Sequence, residues 1–408
     1  MEQSQLGWTE TRRQAQRTAL CRLAFWLIVL GAQLVVSPAH AYAWMIRHGF
    51  AECAGCHVDP MGGETLTGMG RVMGERLLAQ PWSASPPTEL AQFAFGVVEP
   101  DAVRFGGSFR GMLTSDRETE RTVAFPMQAD LYGAAFFDRF TLGVSLGVSR
   151  ASDRYEHASK AKLIGDVDDE GVLLVSRNHW LGYSLTDQLM LRAGRMNLPF
   201  GIRGPEHTAW VRSETLTDRE SDQLHGISAA YSSGPLRGEL MAALGNLQVG
   251  DSAFQWRGYS AYLEWLALRR LAVGASSMVL VAPRDLDLDR GAVSRQAHGL
   301  TARYAPWTPL VVLAEADVLK NTGAGVGYVG MLTLDVEPIQ GLHLAASYER
   351  LDRGRSDADS ARNGDGVTRV GKWLTVNWFF GPHLDLRVDY VQRDQRSDML
   401  QAQLHMYL

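Results

Sequence analysis

From about Arg104 onward, the chain alternates between apolar and polar residues. In the segment 383–392 apolar residues occupy the even positions 384 to 390, and charged residues fill the positions between them. The segment 256–268 follows the same pattern. Successive side chains of a β-strand point to opposite faces, so a period of two indicates strands with one apolar and one polar face. The sequence therefore predicts a mainly β protein over most of its length.

Sixteen such strands can be placed, and their connections alternate strictly between long and short. The predicted strands begin near residues 104, 123, 138, 171, 187, 223, 235, 256, 270, 296, 309, 326, 342, 370, 383 and 399. The long connections, such as 151–170, 197–222 and 352–369, are polar, whereas short ones such as 381–382 are tight turns. This layout is typical of outer-membrane barrels, and a β-sandwich has no reason to follow it. We predict a 16-stranded antiparallel transmembrane β-barrel over 104–408, with both ends in the periplasm.

Composition does not oppose this interpretation. The 408 residues are 46% hydrophobic, and no apolar run beyond residue 40 is long enough to cross a bilayer as a helix. Strands of a membrane barrel average to ordinary hydropathy because their faces alternate. The net charge of −5 gives no reason to expect a nucleic-acid partner. The predicted barrel implies outer-membrane lipid as a partner.

The start of the chain has the features of an export signal. Four arginines come first, the apolar stretch 23–36 follows, and Ala-His-Ala at 39–41 supplies small residues at the cleavage positions. Cleavage before Tyr42 would release a mature chain outside the cytoplasm. The alternative is an uncleaved membrane anchor. We predict a signal peptide over residues 1–41.

The next segment carries the motif Cys53-Ala-Gly-Cys56-His57. Two thiols at this spacing can form thioethers with the vinyl groups of one haem, and the adjacent histidine can ligate its iron. A redox-active cysteine pair or a partial zinc site are the alternatives, but zinc needs four ligands and no second cysteine pair is present. We predict a small α-helical monohaem cytochrome c segment over 42–80 with one covalent haem c, and a linker over 81–103.

The second axial ligand of this haem is left open by the sequence. Met69 and Met73 lie one helical turn apart in a glycine-rich stretch, and His48 precedes the motif. Met61 follows His57 too closely to reach the far side of the iron easily. Methionine ligation would raise the reduction potential, whereas a second histidine would leave it lower.

The chain resembles the fused monohaem cytochrome–porins of the outer membrane of iron-oxidising bacteria. Such proteins carry an arginine ahead of the first haem cysteine, matched by Arg47, and then the motif at 53–57. They continue with Leu-x-x-aromatic-Gly-Arg, matched by Leu66 to Arg71 except that Met69 replaces the aromatic residue. The resemblance covers about thirty residues closely and the barrel only in layout. It implies electron uptake from extracellular ferrous iron.

Two further features are weaker candidates for functional sites. The connection 197–222 resembles a porin loop that folds into the lumen; the alternative is a Gly/Pro turn with solvated charges. Its arginines would line the pore: Arg203, Arg212 and Arg219. The acidic runs 285–289 and 357–365 suit hard divalent cations such as ferrous iron, or are solvated loops.

Together these features predict an outer-membrane electron-transfer protein. Electrons would pass between an extracellular donor and a periplasmic c-type cytochrome through one haem, held in the lumen or at the periplasmic mouth. Such a protein would at most oxidise iron, without bond-making catalysis. The competing hypothesis is a diffusion porin whose haem is a structural plug or a sensor.

Overall fold

The computed structural model describes residues 42–81, 94, 96–97, 99–150, 162–164, 172–204, 206, 208–218, 222–248, 256–283, 291–354, 368–394 and 396–408. The predicted signal peptide, the acidic runs and Arg219 lie outside these ranges, as does most of the first half of the predicted linker. Within the described residues, no helix has both the length and the apolar character needed to cross a membrane.

Eighteen strands account for most of the described chain. They are β1 Val103–Asp116, β2 Arg121–Phe137, β3 Phe140–Arg150, β4 Lys162–Ile164, β5 Val172–Val175, β6 His179–Ser184, β7 Leu189–Asn197, β8 Gln223–Ser233, β9 Leu236–Gly245, β10 Arg257–Leu268, β11 Leu271–Ala282, β12 Val293–Trp307, β13 Leu310–Asn321, β14 Val326–Ile339, β15 Leu342–Asp352, β16 Arg369–Gly381, β17 Leu384–Arg393 and β18 Met399–Tyr407.

These strands form one closed antiparallel sheet. Strand β1 pairs with β2 on one side and with β18 on the other, so the sheet has no free edge there. Strands β5 and β6 both pair with β3 at successive positions and form one interrupted barrel strand, while the short β4 pairs with β5. When β4 is left out and β5 and β6 are counted as one strand, the eighteen strands give a barrel of sixteen. The predicted 16-stranded barrel is confirmed.

The two faces of the wall have opposite character. On β10, Leu263 and Trp265 are each 53% exposed on the outside, whereas the alternating Tyr262 and Glu264 are buried inside. The same alternation recurs around the sheet, with exposed leucine, valine and aromatic residues outside and buried charged residues inside. An apolar exterior around a polar interior is the arrangement of a barrel in lipid, and the reverse of a water-soluble sandwich.

The segment 42–81 forms only short helices: a 3₁₀ helix at Ala43–His48, the α-helix α1 at Gly68–Met73 and a π-helical turn at Gly74–Leu78. The Oγ1 of Thr67 caps α1 by accepting a hydrogen bond from the Gly70 amide at 3.1 Å. A side chain on Gly70 would overlap the backbone of Cys56, so only glycine lets α1 approach the cysteine motif. The predicted helical segment is thus a compact turn-rich unit with three brief helices.

The connection between β7 and β8 folds into the lumen, which resolves the alternative that the sequence left open. It contains the short helix α2 at Trp210–Ser213. The Gly201 amide donates to Ser276 Oγ at 2.8 Å, and the Trp210 amide donates to Glu349 Oε1 at 2.6 Å. Because Ser276 and Glu349 lie on β11 and β15, this inward loop (residues 198–218) reaches wall strands distant from its own.

Candidate cofactor site in the barrel lumen

Buried ion pairs hold the segment 42–81 against the inner wall. Arg47 is fully buried and pairs with Asp335 and with Glu337, whose Oε2 lies 3.0 Å from Arg47 Nη1. Both carboxylates come from β14, close to its short turn. Burial lowers the pKa of the Arg47 guanidinium, and the charge of Glu337 opposes that shift. Breaking a buried pair of this kind leaves uncompensated charge, so Arg47 is a strong anchor.

A second anchor joins the segment to β1. Arg71 Nη1 lies 2.6 Å from Glu99 Oε2, and Arg71 Nη2 donates to the carbonyl oxygen of Phe105. Burial lowers the pKa of Arg71, and Glu99 opposes that shift. The two arginines that the sequence resemblance singled out therefore both attach the segment to the barrel.

Further contacts surround the cysteine motif itself. Arg192 on β7 lies 3.0 Å from Asp59 Oδ1 and 2.6 Å from Glu239 Oε1. The Nδ2 of Asn178 donates to Glu64. The segment is thus bound on several sides within the part of the lumen nearest the short turns.

The cysteine motif forms a tight turn. The amides of Cys56 and His57 both donate to the carbonyl oxygen of Cys53, at 3.1 and 3.0 Å. The Thr67 amide donates to the Cys56 carbonyl at 2.8 Å, and Thr67 Oγ1 donates to the Gly55 carbonyl at 2.6 Å. The motif and the start of α1 therefore form one rigid unit.

A large cavity lies between this unit, the wall and the inward loop. Its volume, as space open to water-sized molecules, is about 170 Å³. Several apolar residues of the segment line it together with two residues of the motif: Tyr42, Met45, Cys56, His57, Leu66, Met73 and Leu78. The wall and the inward loop contribute mainly polar side chains, among them Arg110, Gln128, Tyr132, Arg177, Asn178, Arg203, Arg212 and His405.

The two cysteines do not share this cavity. Cys56 lines it, whereas Cys53 lines two smaller neighbouring cavities, one of which shares Arg203 with the large cavity. The Nη1 of Arg237 lies 3.2 Å from Cys53 Sγ. Burial raises the pKa of the Cys56 thiol to about 12, with a smaller contribution from Cys53.

The candidate axial ligands are also separated. Met73 lines the cavity with His57, whereas Met69 is 48% exposed and takes no part in the lining. His48 is likewise outside the lining, with its Nε2 3.5 Å from Glu337 Oε2. Of the three candidates, Met73 is the one that the fold brings to the cavity.

Sequence reasoning assigned no ligand role to His405, yet it lines the same cavity. Its Nδ1 lies 2.8 Å from Asp385 Oδ2 and its Nε2 3.0 Å from Ser108 Oγ. No motif marks this residue, because it reaches the site only through barrel closure, when β18 pairs with β1.

Three of the four side chains that a covalent haem would need line the cavity. Cys56 offers a thiol, His57 an imidazole and Met73 a thioether, beside apolar surface that suits a porphyrin face. Cys53, held toward Arg237, would have to turn its thiol from the smaller cavity to join them. Among the described residues, no group of three or more His, Cys, Asp or Glu side chains could hold a metal ion.

Comparison with known proteins yields a fold likeness alone. No family model matches the sequence, and no curated protein matches it. The fold is similar to OmpF of Salmonella typhi in complex with daunomycin, with TM-score 0.56 and 14% identity over 75% of this chain and 97% of that one. It is also similar to OmpT of Vibrio cholerae, with TM-score 0.55 and 12% identity over 76% and 100%. An anion-selective porin from Comamonas acidovorans gives TM-score 0.53 and 12% identity over 75% and 99%.

The chain therefore has the barrel fold of outer-membrane porins. At 12–14% identity, the likeness covers the fold and no further property. None of these structures is described as a cytochrome or an iron oxidase, so the resemblance to fused cytochrome–porins rests on the sequence motif around 47–71.

Proposed function

We propose that this protein is an outer-membrane electron-transfer protein that carries one covalent haem c in its lumen. Cys53 and Cys56 would form the thioethers, and His57 and Met73 would ligate the iron. The observation that carries this proposal is the large cavity that His57, Cys56 and Met73 line together. When bound, the haem supplies one-electron redox chemistry.

The chain's own residues would set the conditions for that chemistry. Leu66, Leu78 and Tyr42 keep the cavity apolar on the side of the motif. A thioether ligand from Met73 would favour a higher potential than a second histidine would. The ion pairs of Arg47 and Arg192 fix the motif against the wall, so the distance from haem to either membrane face would stay constant.

The position of the site supports a proposal for the two electron partners. The anchors of the segment lie near short turns: Gln340, between β14 and β15, donates to the carbonyl oxygen of Ala79 at 2.6 Å. Short turns face the periplasm in outer-membrane barrels. A soluble periplasmic c-type cytochrome could therefore approach the haem closely, while an external donor, with ferrous iron as the candidate, would enter from the opposite end.

The first test is covalent attachment. The mature protein should stain for haem on a denaturing gel, and Cys53→Ala with Cys56→Ala should abolish the stain. Met69→Ala is the matched control within the same segment and should keep it. Haem that stays covalently bound in the double variant would refute the assignment.

The second test is electron uptake. Purified, oxidised protein mixed with ferrous iron in a stopped-flow instrument should show reduction of the haem absorbance. Absence of reduction by ferrous iron, together with reduction by a small chemical reductant, would exclude ferrous iron as the donor and keep the redox role.

A diffusion porin with a structural or sensory haem is the second candidate. The fold likeness to outer-membrane porins, taken alone, favours it over electron transfer. The segment 42–81 and the inward loop both occupy the lumen, however, and leave less room for solutes. Single-channel conductance in a planar bilayer separates the two: a porin should conduct ions steadily with haem bound, and an electron carrier should not.

A further inference from the structure

Two histidines meet on the outer face of the barrel wall. His179 begins β6 and His225 lies near the start of β8, and their Nε2 atoms are 3.2 Å apart. Leu181 and Ile227, two residues further along the same strands, are exposed on the outside of the wall. Because the side chains of a strand alternate between its two faces, both histidines face outward. They lie at the end of the barrel that carries the long connections.

A short piece of chain covers this pair of histidines. Residues 246–248, here called the outer strap, follow β9 and turn over the outside of the wall. The Leu247 amide donates to His225 Nδ1 at 3.0 Å. Gln248 Nε2 donates to the carbonyl oxygen of Ser176 at 3.2 Å. The imidazole of His225 is therefore one of the points that hold the outer strap in place.

A buried arginine lies between the two histidines. Arg195 on β7 is the direct partner of His179 on one side and of His225 on the other, and it is fully buried. Its Nη1 donates to Gln248 Oε1 at 3.3 Å, so the outer strap lies over it. Its guanidinium would repel an imidazolium at either neighbouring position. The charged side chains around the pair, among the described residues of β7 and of the connections before β6 and β8, are those of Arg195, Arg177 and Asp222.

The hydrogen bonds of this cluster accommodate one proton on each imidazole. His225 Nδ1 accepts from the Leu247 amide, so the proton of this ring is on Nε2, where it points at His179. His179 Nε2 must then accept, and its own proton lies on Nδ1, which donates to Ser176 Oγ at 2.9 Å. An imidazolium has a proton on both nitrogens. A third proton would therefore set two N–H groups against each other, either between the rings or at the Leu247 amide.

We propose that His179 and His225 form an acid-sensitive clasp. It holds the outer strap against the wall while both rings are neutral and releases the strap when either ring takes up a proton. Release would uncover Arg195 beside the new imidazolium, so the outer surface near the long connections would become more cationic in acid. The clasp lies outside the lumen and does not depend on the haem, and it therefore goes beyond the proposed function.

The direction and size of the pH effect follow from counting protons. An imidazole in water takes up a proton below about pH 6.5. The open form can bind a proton that the closed form cannot, so the clasp should be stable above that pH and weaken as the pH falls below it. The ratio of closed to open form should fall by about tenfold per pH unit for one proton, and by about a hundredfold if both rings take one.

The experiment is hydrogen–deuterium exchange of the full chain in detergent micelles, from about pH 8 to about pH 5, on either side of the histidine range. The readout is the Leu247 amide, expressed as a protection factor so that the intrinsic dependence of exchange on pH cancels. Protection in the wild type should be constant in the upper part of this range and fall in the lower part. His225→Asn places an oxygen that cannot be protonated near the position of Nδ1, and should keep the amide protected throughout. His225→Phe removes the acceptor and should reduce protection at every pH.

The matched control is His298→Asn. His298 also lies on the outer face of the wall, where its Nδ1 is 2.9 Å from Ser277 Oγ, and its replacement should leave the pH dependence at Leu247 unchanged. Wild-type protection that does not vary with pH would overturn the clasp, as would an acid-induced loss that persists in His225→Asn. Simultaneous loss of protection in β13 would assign the effect to unfolding of the barrel and would also overturn it. If His225→Phe does not fold, the comparison of the wild type with His225→Asn still decides.

Discussion

Replacing Arg47 tests whether the segment 42–81 is held in the lumen by its buried charges. Its guanidinium pairs with Asp335 and Glu337 and donates from Nε to the Trp44 carbonyl at 3.2 Å, with no exposed surface. Arg47→Met keeps the volume but leaves two buried carboxylates without their cation. Breaking a buried pair in this way costs about 3–5 kcal/mol. Each 1.4 kcal/mol is a factor of ten, so release of the segment should become on the order of 10²–10³ times more frequent.

The assay is limited proteolysis of the folded barrel, combined with bilayer conductance. In Arg47→Met the segment should be cleaved much faster than in the wild type, while the barrel itself stays resistant, and ion conductance should rise. Arg139→Met, in the exposed turn after β2, is the control and should change neither. The triple variant Arg47→Met, Asp335→Asn, Glu337→Gln removes all three charges and should recover much of the protection. Equal protection in wild type and Arg47→Met would refute the view that these charges anchor the segment.

Three more predictions follow from the same structure. A tag inserted within 352–369 should be labelled on intact cells and one at 381–382 should not; equal labelling would mean that the orientation is reversed or the strand map wrong. Met73→Leu should lower the haem potential and change the haem absorption, whereas Met69→Leu should leave both unchanged; a reversed result would move the ligand to Met69. In the Cys53→Ala variant prepared without haem, the Cys56 thiol, with its pKa raised to about 12, should be only about 10⁻³ ionised at pH 9. It should therefore alkylate far more slowly than in the unfolded chain, and equal alkylation rates at pH 9 would contradict the burial of that thiol.

The barrel could be predicted from the sequence because each strand carries its own pattern of apolar and polar residues. One face of each strand meets lipid and the other meets the lumen. Apolar and polar residues therefore alternate with a period of two in every strand segment. The predicted starts of β13, β14 and β15 fall within one residue of the observed ones. The interruption between β5 and β6 was not predictable, since it depends on how residues 176–178 meet Ser145 on β3.

The site itself was only half predictable. Cys53, Cys56 and His57 form a contiguous motif whose spacing reflects the chemistry directly. The rest of the cavity comes from positions far apart in the chain, such as Arg110 and His405, which meet only when the barrel closes. Choosing Met73 over Met69 also needed the fold, because both lie on the same short helix and differ only in which side of it faces the cavity.

The chemistry of the inner wall bears on the choice between an electron carrier and a porin. In an open pore, the inner charges of the wall face water and need no partner from the same chain. Here Arg192 is fully buried between Glu239 of the wall and Asp59 of the segment, and Asp335 is buried against Arg47. Such pairs are costly to desolvate and are stable only when both members stay in place. The half of the wall nearest the short turns is therefore matched to a permanent occupant, and this supports the proposed electron carrier over an open porin.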